Sequence, residues 1–412
     1  MKIIHISKSD GSGGAPKATF RLHCALLKNK MESQIWVDDK YSDDVNIFSL
    51  NYGQKRKLNK LKFYISRLPF FFFKTANPVL HSPQIFSSKD LIDKINNSNV
   101  DIIHLHWFQH EMLSISDISK ITKPVVWTLH DMWGFCGAEH ISYDNRWIDG
   151  YNKNNRPKTE KGFDLNRWVW LRKLKYWKKP IQLIAPSNWM KENIGKSYLM
   201  KSWPTSIIAN TLDTNIWQPV DKKVARKNLG FPKESKLIIF GSASGTKEYH
   251  KGFDILLESL NILEKTGRYK NLGLVIFGDR EDKIVIKTKI PVYNLGFIND
   301  EDKLRSAYSA SDVFLVPSRI ESFGQVVIEA NACGLPVVGF NTTGIKTTIK
   351  HKYSGYLAKP FDIKDFSEGI CWVLDNSSYE LSVNARNYVI ENFSYSIIAN
   401  KHIDIYKKVL NK

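Results

Sequence analysis

Short apolar runs alternate with longer amphipathic stretches along the first half of the chain. The run Ile3–Ile6 is followed by a polar, Gly-rich loop at 9–14, and the stretch 15–28 then repeats apolar residues at the spacing of one helix face. Further apolar runs predict strands at Ser33–Val37, Asp101–His106, Pro124–His130, Ile181–Pro186 and Ile207–Asp213. Strands separated by helices predict a parallel sheet that is covered on both faces.

The same alternation starts again after a linker near Trp217–Pro219. It predicts a helix over Phe253–Leu263 and strands at Lys236–Gly241, Leu272–Gly278, Val292–Phe297 and Asp312–Pro317. A length of 412 residues also exceeds what one hydrophobic core usually serves. We therefore predict an α/β fold of two doubly wound, Rossmann-like domains that face each other across a cleft.

Two glutamates, Glu321 and Glu329, bracket a predicted strand-to-helix turn. The strand at Asp312–Pro317 precedes them, and Gly334 and Pro336 end the helix that follows. The helix start near 323–325 is a suitable anion site, and carboxylates accept hydrogen bonds from hydroxyls. A nucleotide sugar carries both phosphates and hydroxyls, although a glutamate near a helix start is also favoured by the helix dipole alone.

Composition narrows the class of protein. The four cysteines are far apart and form no CxxC pair, which indicates a reducing compartment rather than a disulfide framework. No apolar window reaches the length of a membrane-spanning helix, and the first apolar run is too short for a signal peptide. We predict a cytoplasmic protein. The net charge of +19 suits an anionic surface, or reflects only a Lys-rich composition.

The run 315–330, followed by Gly334–Gly339, resembles the donor-site motif of retaining glycosyltransferases with the GT-B fold, family 4. The resemblance spans nearly the whole chain and is strongest to bacterial exopolysaccharide and O-antigen glycosyltransferases. It implies an N-terminal acceptor-side domain at 1–212 and a nucleotide-sugar donor domain at 213–390. It also implies a C-terminal helix at 391–412 that packs back on the N-terminal domain.

The resemblance assigns roles to individual residues. Glu321, His130 and Lys251 are expected to be catalytic: Glu321 contacts the donor sugar, His130 lies at the reaction centre, and Lys251 neutralises the diphosphate. The remaining residues are expected to bind the donor: Gly13, Gly14, Lys247, Gly296, Phe297, Ser322, Phe323, Gly324, Gln325 and Glu329. Among these, Glu329 is expected to bind the ribose, and the backbone at 296–297 to read the base.

One position departs from the family pattern. The family usually has an arginine several residues before the Lys-Gly pair, and the loop 241–250 has none. Lys247 is the candidate replacement, as a point charge without the two-pronged geometry of arginine.

We predict no metal and no other cofactor. The acidic run Asp300–Asp302 precedes a helical pattern, so it predicts a helix N-terminus rather than a metal-binding DxD motif. His104, His106 and His110 have no fourth ligand at a suitable spacing.

Two segments interrupt the strand–helix pattern. Residues 54–74 mix lysines and arginines with apolar residues, which predicts either a segment that contacts anionic membrane or a helix that covers its own sheet. Residues 146–179 combine tryptophans with basic residues and predict either an acceptor-side wall or a packed insertion.

The expected function is retaining transfer of a hexosyl unit from a nucleoside-diphosphate sugar to a saccharide or lipid-linked saccharide acceptor, in synthesis of a bacterial surface polysaccharide. The expected location is the cytoplasm, including the inner face of the plasma membrane. No nucleic-acid partner is expected. The alternatives are a GT-B sugar-nucleotide epimerase and a non-catalytic basic protein that binds membrane or nucleic acid.

Overall fold

A computed structural model divides the chain into two compact units. The N-terminal unit comprises Met1–Ala209 and Ala399–Lys412, and the C-terminal unit comprises Asn210–Ile398. The structure describes residues 1–11, 13–50, 53–241, 248–278, 286 and 288–411, and it does not describe the side chains of Gln54 and Lys55. The predicted boundary after residue 212 lies three residues beyond the observed one after residue 209, and the predicted boundary after residue 390 lies eight residues before the observed one after residue 398.

The N-terminal unit alternates strands and helices. Its strands are β1 Lys2–Ser9, β2 Glu32–Asp39, β3 Ile47–Ser49, β4 Phe73–Lys74, β5 Ile102–Leu105, β6 Val125–Thr128, β7 Lys161–Gly162, β8 Gln182–Ala185 and β9 Thr205–Ile207. Its helices are α1 Gly14–Lys28, α2 Gly53–Ile65, a 3₁₀ turn Leu68–Phe72, α3 Lys89–Asn96, α4 Ile115–Ile118, α5 Arg146–Asp149, α6 Leu165–Tyr176 and α7 Asn188–Lys196.

The C-terminal unit repeats this plan. Its strands are β10 Lys236–Gly241, β11 Leu272–Phe277, β12 Val292–Asn294, β13 Val313–Val316, β14 Val337–Phe340 and β15 Gly355–Ala358. Its helices are α8 Lys222–Leu229, a 3₁₀ turn Tyr249–Lys251, α9 Phe253–Thr266, α10 Glu301–Ala310, α11 Gln325–Ala332, α12 Ile345–Thr348, α13 Ile363–Asp375 and α14 Tyr379–Phe393. The last helix, α15 Tyr395–Leu410, begins in this unit and continues into the N-terminal one.

Each unit is built on one large parallel sheet. The first has the order β3-β2-β1-β5-β6-β8-β9, and the second has the order β12-β11-β10-β13-β14-β15. Both orders reverse direction beside the first strand of the unit, as in the doubly wound nucleotide-binding fold. The predicted pair of Rossmann-like domains is therefore confirmed. Ligands of such sheets bind beyond the carboxyl ends of the strands at the reversal, which are β1 and β5 in one unit and β10 and β13 in the other.

Burial explains why the strands were easy to predict. The strands β5, β8, β11 and β13 are buried along their whole length, and β6 is buried except at Val125, since helices cover both faces of the sheet. One strand was misplaced. The run Ile207–Asp213 was predicted as a strand, but β9 ends at Ile207, and Leu212 instead forms an isolated bridge with Ser394 inside the C-terminal unit.

The two interrupting segments take different forms. In segment 146–179, Trp147, Trp170 and Trp177 are buried in the core of the N-terminal unit, so the packed-insertion interpretation is the correct one for these side chains. In segment 54–74, α2 and the 3₁₀ turn leave many apolar side chains exposed. No helix among the described residues combines the length and apolarity needed to cross a membrane.

The acidic run Asp300–Asp302 lies at the start of α10. The Asp300 carboxylate accepts hydrogen bonds from the backbone N–H groups of Asp302 and Lys303. The prediction of a capped helix N-terminus at this run is therefore confirmed.

Candidate active site

The loop between β13 and α11 carries the predicted donor-site motif. Gly324 caps α11 with a φ of 97°, a backbone conformation that residues other than glycine rarely adopt. The loop is held from behind by Gly344, whose N–H donates to the Glu321 carbonyl at 2.7 Å. A Cβ at Gly344 would lie 2.3 Å from the Ser322 carbonyl oxygen, so only glycine allows this approach. Phe323 is buried and packs edge-on against Phe393. These contacts fix the loop that carries Glu321 and the start of α11 at the end of β13, one of the two strands at the reversal point of the second sheet.

Lys251 and Glu321 form a direct ion pair, with Nζ and Oε2 2.7 Å apart. Lys251 ends the 3₁₀ turn that precedes α9, and Gly252 follows it with a φ of 71°. A Cβ at Gly252 would lie 2.1 Å from the Pro317 carbonyl oxygen. The glycine of the Lys-Gly pair therefore lets this turn pack against the end of β13, which brings the lysine to the glutamate.

The ion pair stabilises the charged form of the lysine. Burial alone would lower the pKa of Lys251, but the charge of Glu321 and its hydrogen bond, with a smaller contribution from Glu248, raise the pKa above its ordinary value. Lys251 is thus a permanent cation at neutral pH. A cation placed beside the positive end of the α11 dipole is suited to bind a diphosphate.

Arg319 holds the turn that carries Lys251. Its guanidinium makes a two-pronged pair with the Asp254 carboxylate at 2.8 and 2.5 Å and donates to the Tyr249 carbonyl at 2.8 Å. Its backbone N–H donates to the His250 carbonyl. Arg319 therefore ties the loop after β13 to both sides of Lys251. Lys247, the predicted substitute for the family's arginine, lies outside the described residues.

Glu329 lies on α11 and is almost completely buried, with 2% of its surface exposed. The hydroxyl of Tyr308, itself buried, donates to its Oε2 at 3.5 Å. The predicted base-reading loop follows β12 at the same edge of the sheet. There the Gly296 carbonyl accepts from Gly278 at 2.8 Å, and the Gly296 N–H donates to the Asn294 side chain.

The N-terminal unit places its own predicted residues at the corresponding edge. Gly13 caps α1 with a φ of 111°, and Gly14 is the first residue of that helix. The preceding loop is fixed by Asp10, whose carboxylate accepts from the N–H groups of Tyr41 and Ser42 and from the Ser42 hydroxyl. The loops after β1 and β2 are thereby joined at the carboxyl edge of the first sheet.

His130 follows β6 at this edge. Its Nε2 lies 3.1 Å from Nδ1 of His106, and the two ring planes are 23° apart. Burial lowers the pKa of His130 to about 4, against an opposing effect of Asp131. His130 is therefore neutral at physiological pH. Asp131 accepts from His140, Trp107 and the Trp133 backbone, so it orders the loop around His130.

A further cluster lies in the core beside His130. His5, His104 and His106 are buried, and each offers a ring nitrogen within 4.8 Å of the others. Ligand atoms this close together could hold a metal ion, so the absence of a metal stays a prediction.

Two family models together account for most of the chain. Residues 221–392 match the glycosyl transferases group 1 model, and residues 40–216 match the glycosyltransferase family 4 model. The chain belongs to the family 4 glycosyltransferases. The two matches fall on the C-terminal and N-terminal units respectively, so the resemblance predicted for the donor motif extends to both halves of the family's fold.

Curated relatives agree with this assignment, and solved structures share the fold. An uncharacterized glycosyltransferase of Methanocaldococcus jannaschii is 29% identical over 242 residues, covering 55% of this chain and 60% of the relative. The matched region spans 56 to 65% of the length of the first three curated relatives. Anabaena HepE in complex with UDP and glucose superposes with a TM-score of 0.65 at 16% identity, covering 99% of both chains. WaaG, a glycosyltransferase involved in lipopolysaccharide biosynthesis, superposes with a TM-score of 0.61 at 14% identity, covering 98% and 99%.

Within this family 4 protein, the structure brings together part of the predicted site. Lys251 and Glu321 are in direct contact, and residues 322–325 lie beside them on the same loop. Gly13, Gly14 and His130 lie at the carboxyl edge of the other unit's sheet. Sequence reasoning missed Arg319, although its position two residues before Glu321 placed it in the motif. It named His106 only as a possible metal ligand and missed its hydrogen bonds to His5 and His130, whose strands are neighbours only in the folded sheet.

Proposed function

We propose that the protein transfers a hexosyl unit from a nucleoside-diphosphate sugar to an acceptor hydroxyl, with retention at the anomeric carbon. The observation that carries this proposal is the Lys251–Glu321 pair beside the start of α11, at the reversal point of the second sheet. A fixed cation and a helix N-terminus suit a diphosphate, and the carboxylate that the cation now pairs with suits sugar hydroxyls.

The chemistry follows from this arrangement. When the bond between the anomeric carbon and the diphosphate oxygen breaks, the electron pair and its charge go to the diphosphate. Lys251 and the α11 dipole stabilise that charge, and the acceptor oxygen forms the new bond while its proton passes to the leaving diphosphate. Glu321 orients the sugar. His130, which is neutral, donates or accepts hydrogen bonds with hydroxyls and carries no charge to the reaction.

Two solved structures with the same fold support the choice of substrate. HepE was solved with UDP and glucose, and WaaG takes part in lipopolysaccharide biosynthesis. We propose a uridine or guanosine diphosphate sugar as donor, and as acceptor a saccharide or lipid-linked saccharide of a bacterial surface polysaccharide.

The test is a thermal-shift screen of UDP- and GDP-sugars, followed by turnover with the donor that binds. Only the matching donor is expected to raise the melting temperature, because a ligand bound to the native state stabilises it by mass action. Incubation with donor alone is expected to give no epimer, which separates transfer from the epimerase alternative. A protein stabilised by no nucleotide sugar would contradict the proposal.

We also propose that residues 56–72 contact an anionic membrane from the cytoplasmic side. Leu58, Leu61, Tyr64 and Leu68 are exposed, and Phe71 and Phe72 are 78% and 71% exposed. Such side chains are normally covered in a soluble domain. Lysines of the same surface, Lys57 and Lys60, are also exposed and suit acidic headgroups.

Sedimentation with phosphatidylglycerol vesicles tests the membrane proposal. The double variant F71S/F72S is expected to lose most of its binding because the apolar contact is lost. The variant K57E/K60E is expected to bind more weakly than the wild type at low salt, with a smaller difference at high salt because salt screens the charges. Tyr379→Ser, which alters a side chain 86% exposed in the C-terminal unit, is the control and should bind normally. Unchanged sedimentation of both double variants would overturn this proposal and leave the transferase proposal intact.

A further inference from the structure

A row of hydrogen-bonded histidines runs from the interior of the N-terminal unit to His130. His5 lies on β1, His106 follows β5 and His130 follows β6, and these three strands are neighbours in the sheet. Nδ1 of His5 lies 2.9 Å from Nε2 of His106, and Nδ1 of His106 lies 3.1 Å from Nε2 of His130. His5 and His106 are 0% and 2% exposed. The row therefore links a side chain of the proposed site to the dry core.

All three rings are neutral at physiological pH. Burial lowers the pKa of His5 and His106 well below the ordinary value, and neighbouring histidines lower it further. A neutral imidazole has one N–H and one bare nitrogen, so each ring donates at one end and accepts at the other. The row must then run in one direction: either every ring donates toward His130, or every ring donates away from it.

The inner end of the row decides the direction. Nε2 of His5 is buried and has no hydrogen-bond partner in the described part of the chain. If the row donated away from His130, this nitrogen would carry an orphaned N–H, which is rarer and more costly in a protein interior than an unused lone pair. The favoured direction has His5 donating to His106 and His106 donating to His130.

We propose that His106 and His5 are positioning residues that hold His130 in the tautomer protonated at Nδ1. Nε2 of His130 is then an occupied acceptor, and Nδ1–H is its remaining donor. Nδ1 has no hydrogen-bond partner among the described residues. His130 accordingly presents a donor to a sugar or acceptor oxygen and does not act as a general base through Nε2. This inference rests on the proposed function, because it assigns a task to His130 within that site.

A metal ion is the competing interpretation of these histidines, since His5, His104 and His106 lie close enough to share one. The hydrogen bonds argue against it. Both ring nitrogens of His104 are already paired with hydroxyls, Nδ1 with Tyr406 at 2.7 Å and Nε2 with Thr128 at 2.8 Å. Both nitrogens of His106 are engaged within the row.

The test is the ¹⁵N spectrum of the histidine side chains in the full-length protein at pH 7, assigned by single substitutions. A protonated and a bare ring nitrogen have well-separated shifts, so the wild-type protein alone reports the tautomer of His130. We expect the proton on Nδ1. A proton on Nε2 of His130 would overturn the inference, and so would one equivalent of zinc retained after purification.

Substitutions then test whether His106 imposes this tautomer. H106N keeps an N–H near the place of the ring Nδ1 and is expected to preserve the His130 signal, whereas H106L removes the donor and is expected to give a mixture of tautomers. H104L is the matched control, since it removes an equally buried histidine of β5 that is outside the row. An unchanged His130 signal in folded H106L would contradict the positioning role.

Turnover is measured separately from the spectrum. H106L is expected to lower kcat about tenfold, the size of one lost hydrogen bond, and H106N is expected to restore most of it. A protein with the expected tautomer that binds no nucleotide sugar would overturn the proposed function while leaving the histidine row established.

Discussion

The carboxyl edge of the second sheet carries charged site residues, whereas the predicted site residues at the corresponding edge of the first sheet, Gly13, Gly14 and His130, are uncharged. Lys251 and Glu321 form an ion pair, with Nζ and Oε2 2.7 Å apart. His130 is kept neutral by burial and is hydrogen-bonded to another neutral ring. The same doubly wound plan therefore supports two kinds of chemistry. A charged edge suits a diphosphate, and a neutral edge suits hydroxyl groups, which is the division that a nucleotide sugar and its acceptor require.

The largest expected effect is on turnover at the charged edge. Lys251→Ala and Glu321→Gln should each lower turnover at least ~100-fold, the usual scale for a lost electrostatic contact in a transition state. The measurement is initial rate with the donor found in the thermal-shift screen. The control is Lys222→Ala, which breaks a different ion pair of the same unit, the pair of Lys222 with Asp312 at 2.6 Å. Near-normal rates for both site variants would refute the assignment of this edge.

The next effect concerns the stability of the N-terminal unit, which carries the neutral edge, in acid. Burial lowers the pKa of His23, His81, His110 and His130 to about 4 each, and it lowers the pKa of three further histidines of the same unit well below normal, namely His5, His104 and His106. The unfolded chain binds these protons near pH 6.5. The contribution of these histidines to the free energy of unfolding is therefore full above pH 6.5 and is lost as the pH falls toward 4. The loss is about 3 kcal/mol for one histidine whose pKa is lowered to about 4.

The C-terminal unit has only two histidines with a lowered pKa among its described residues, His250 and His351. We expect the N-terminal unit to unfold first on acidification, between pH 6.5 and 4. Burial raises the pKa of Glu139 to about 7 and also raises the pKa of Glu111 and of Glu160, which opposes this trend, but these are three carboxyl groups against seven histidines. Peptide-resolved hydrogen exchange across this pH range separates the units, and ten of the twelve tryptophans report the first one, all except Trp217 and Trp372. Loss of the C-terminal unit first would contradict the comparison.

A smaller effect separates the two members of the ion pair. Lys251→Ala should weaken binding of UDP or GDP about tenfold, because it removes a charge-assisted contact to phosphate. Glu321→Gln should leave that affinity unchanged or tighter, because it frees Lys251 from its present partner. Calorimetric titration measures both, with Lys222→Ala as the unaffected control. Equal weakening by the two substitutions would show that the pair acts only as a structural unit.

The difference between the two edges also explains what could be predicted from the sequence. The charged edge is built largely from one continuous stretch, 317–329, so its spacing was visible in the chain and the structure bears out its strand–loop–helix form. The β10 strand, Lys236–Gly241, was predicted to the residue because a single apolar run lies between polar neighbours. Ile207–Asp213 was misplaced because an apolar run at the edge of a sheet need not continue as a strand.

The neutral edge is assembled from separate strands, and its key contacts were not predictable. His5 and His106 are 101 positions apart in the sequence and meet only because β1 and β5 are adjacent in the sheet. The partner of His104, Tyr406, comes from the far end of the chain. Strand order is a property of the whole fold, so local spacing held no signal for this row.

The smallest expected effect tests how far the charged edge depends on its support. Arg319→Lys keeps the charge but loses the two-pronged pair with Asp254, so the turn that carries Lys251 is held less firmly. We expect turnover to fall several-fold while the free energy of unfolding changes by about 1 kcal/mol or less. Arg268→Lys is the matched control, because Arg268 pairs with Asp375 in the same unit at an exposed position. If both variants lower turnover equally, Arg319 contributes only general stability; if Arg319→Lys alone does so, the geometry of Lys251, and not merely its charge, sets the rate.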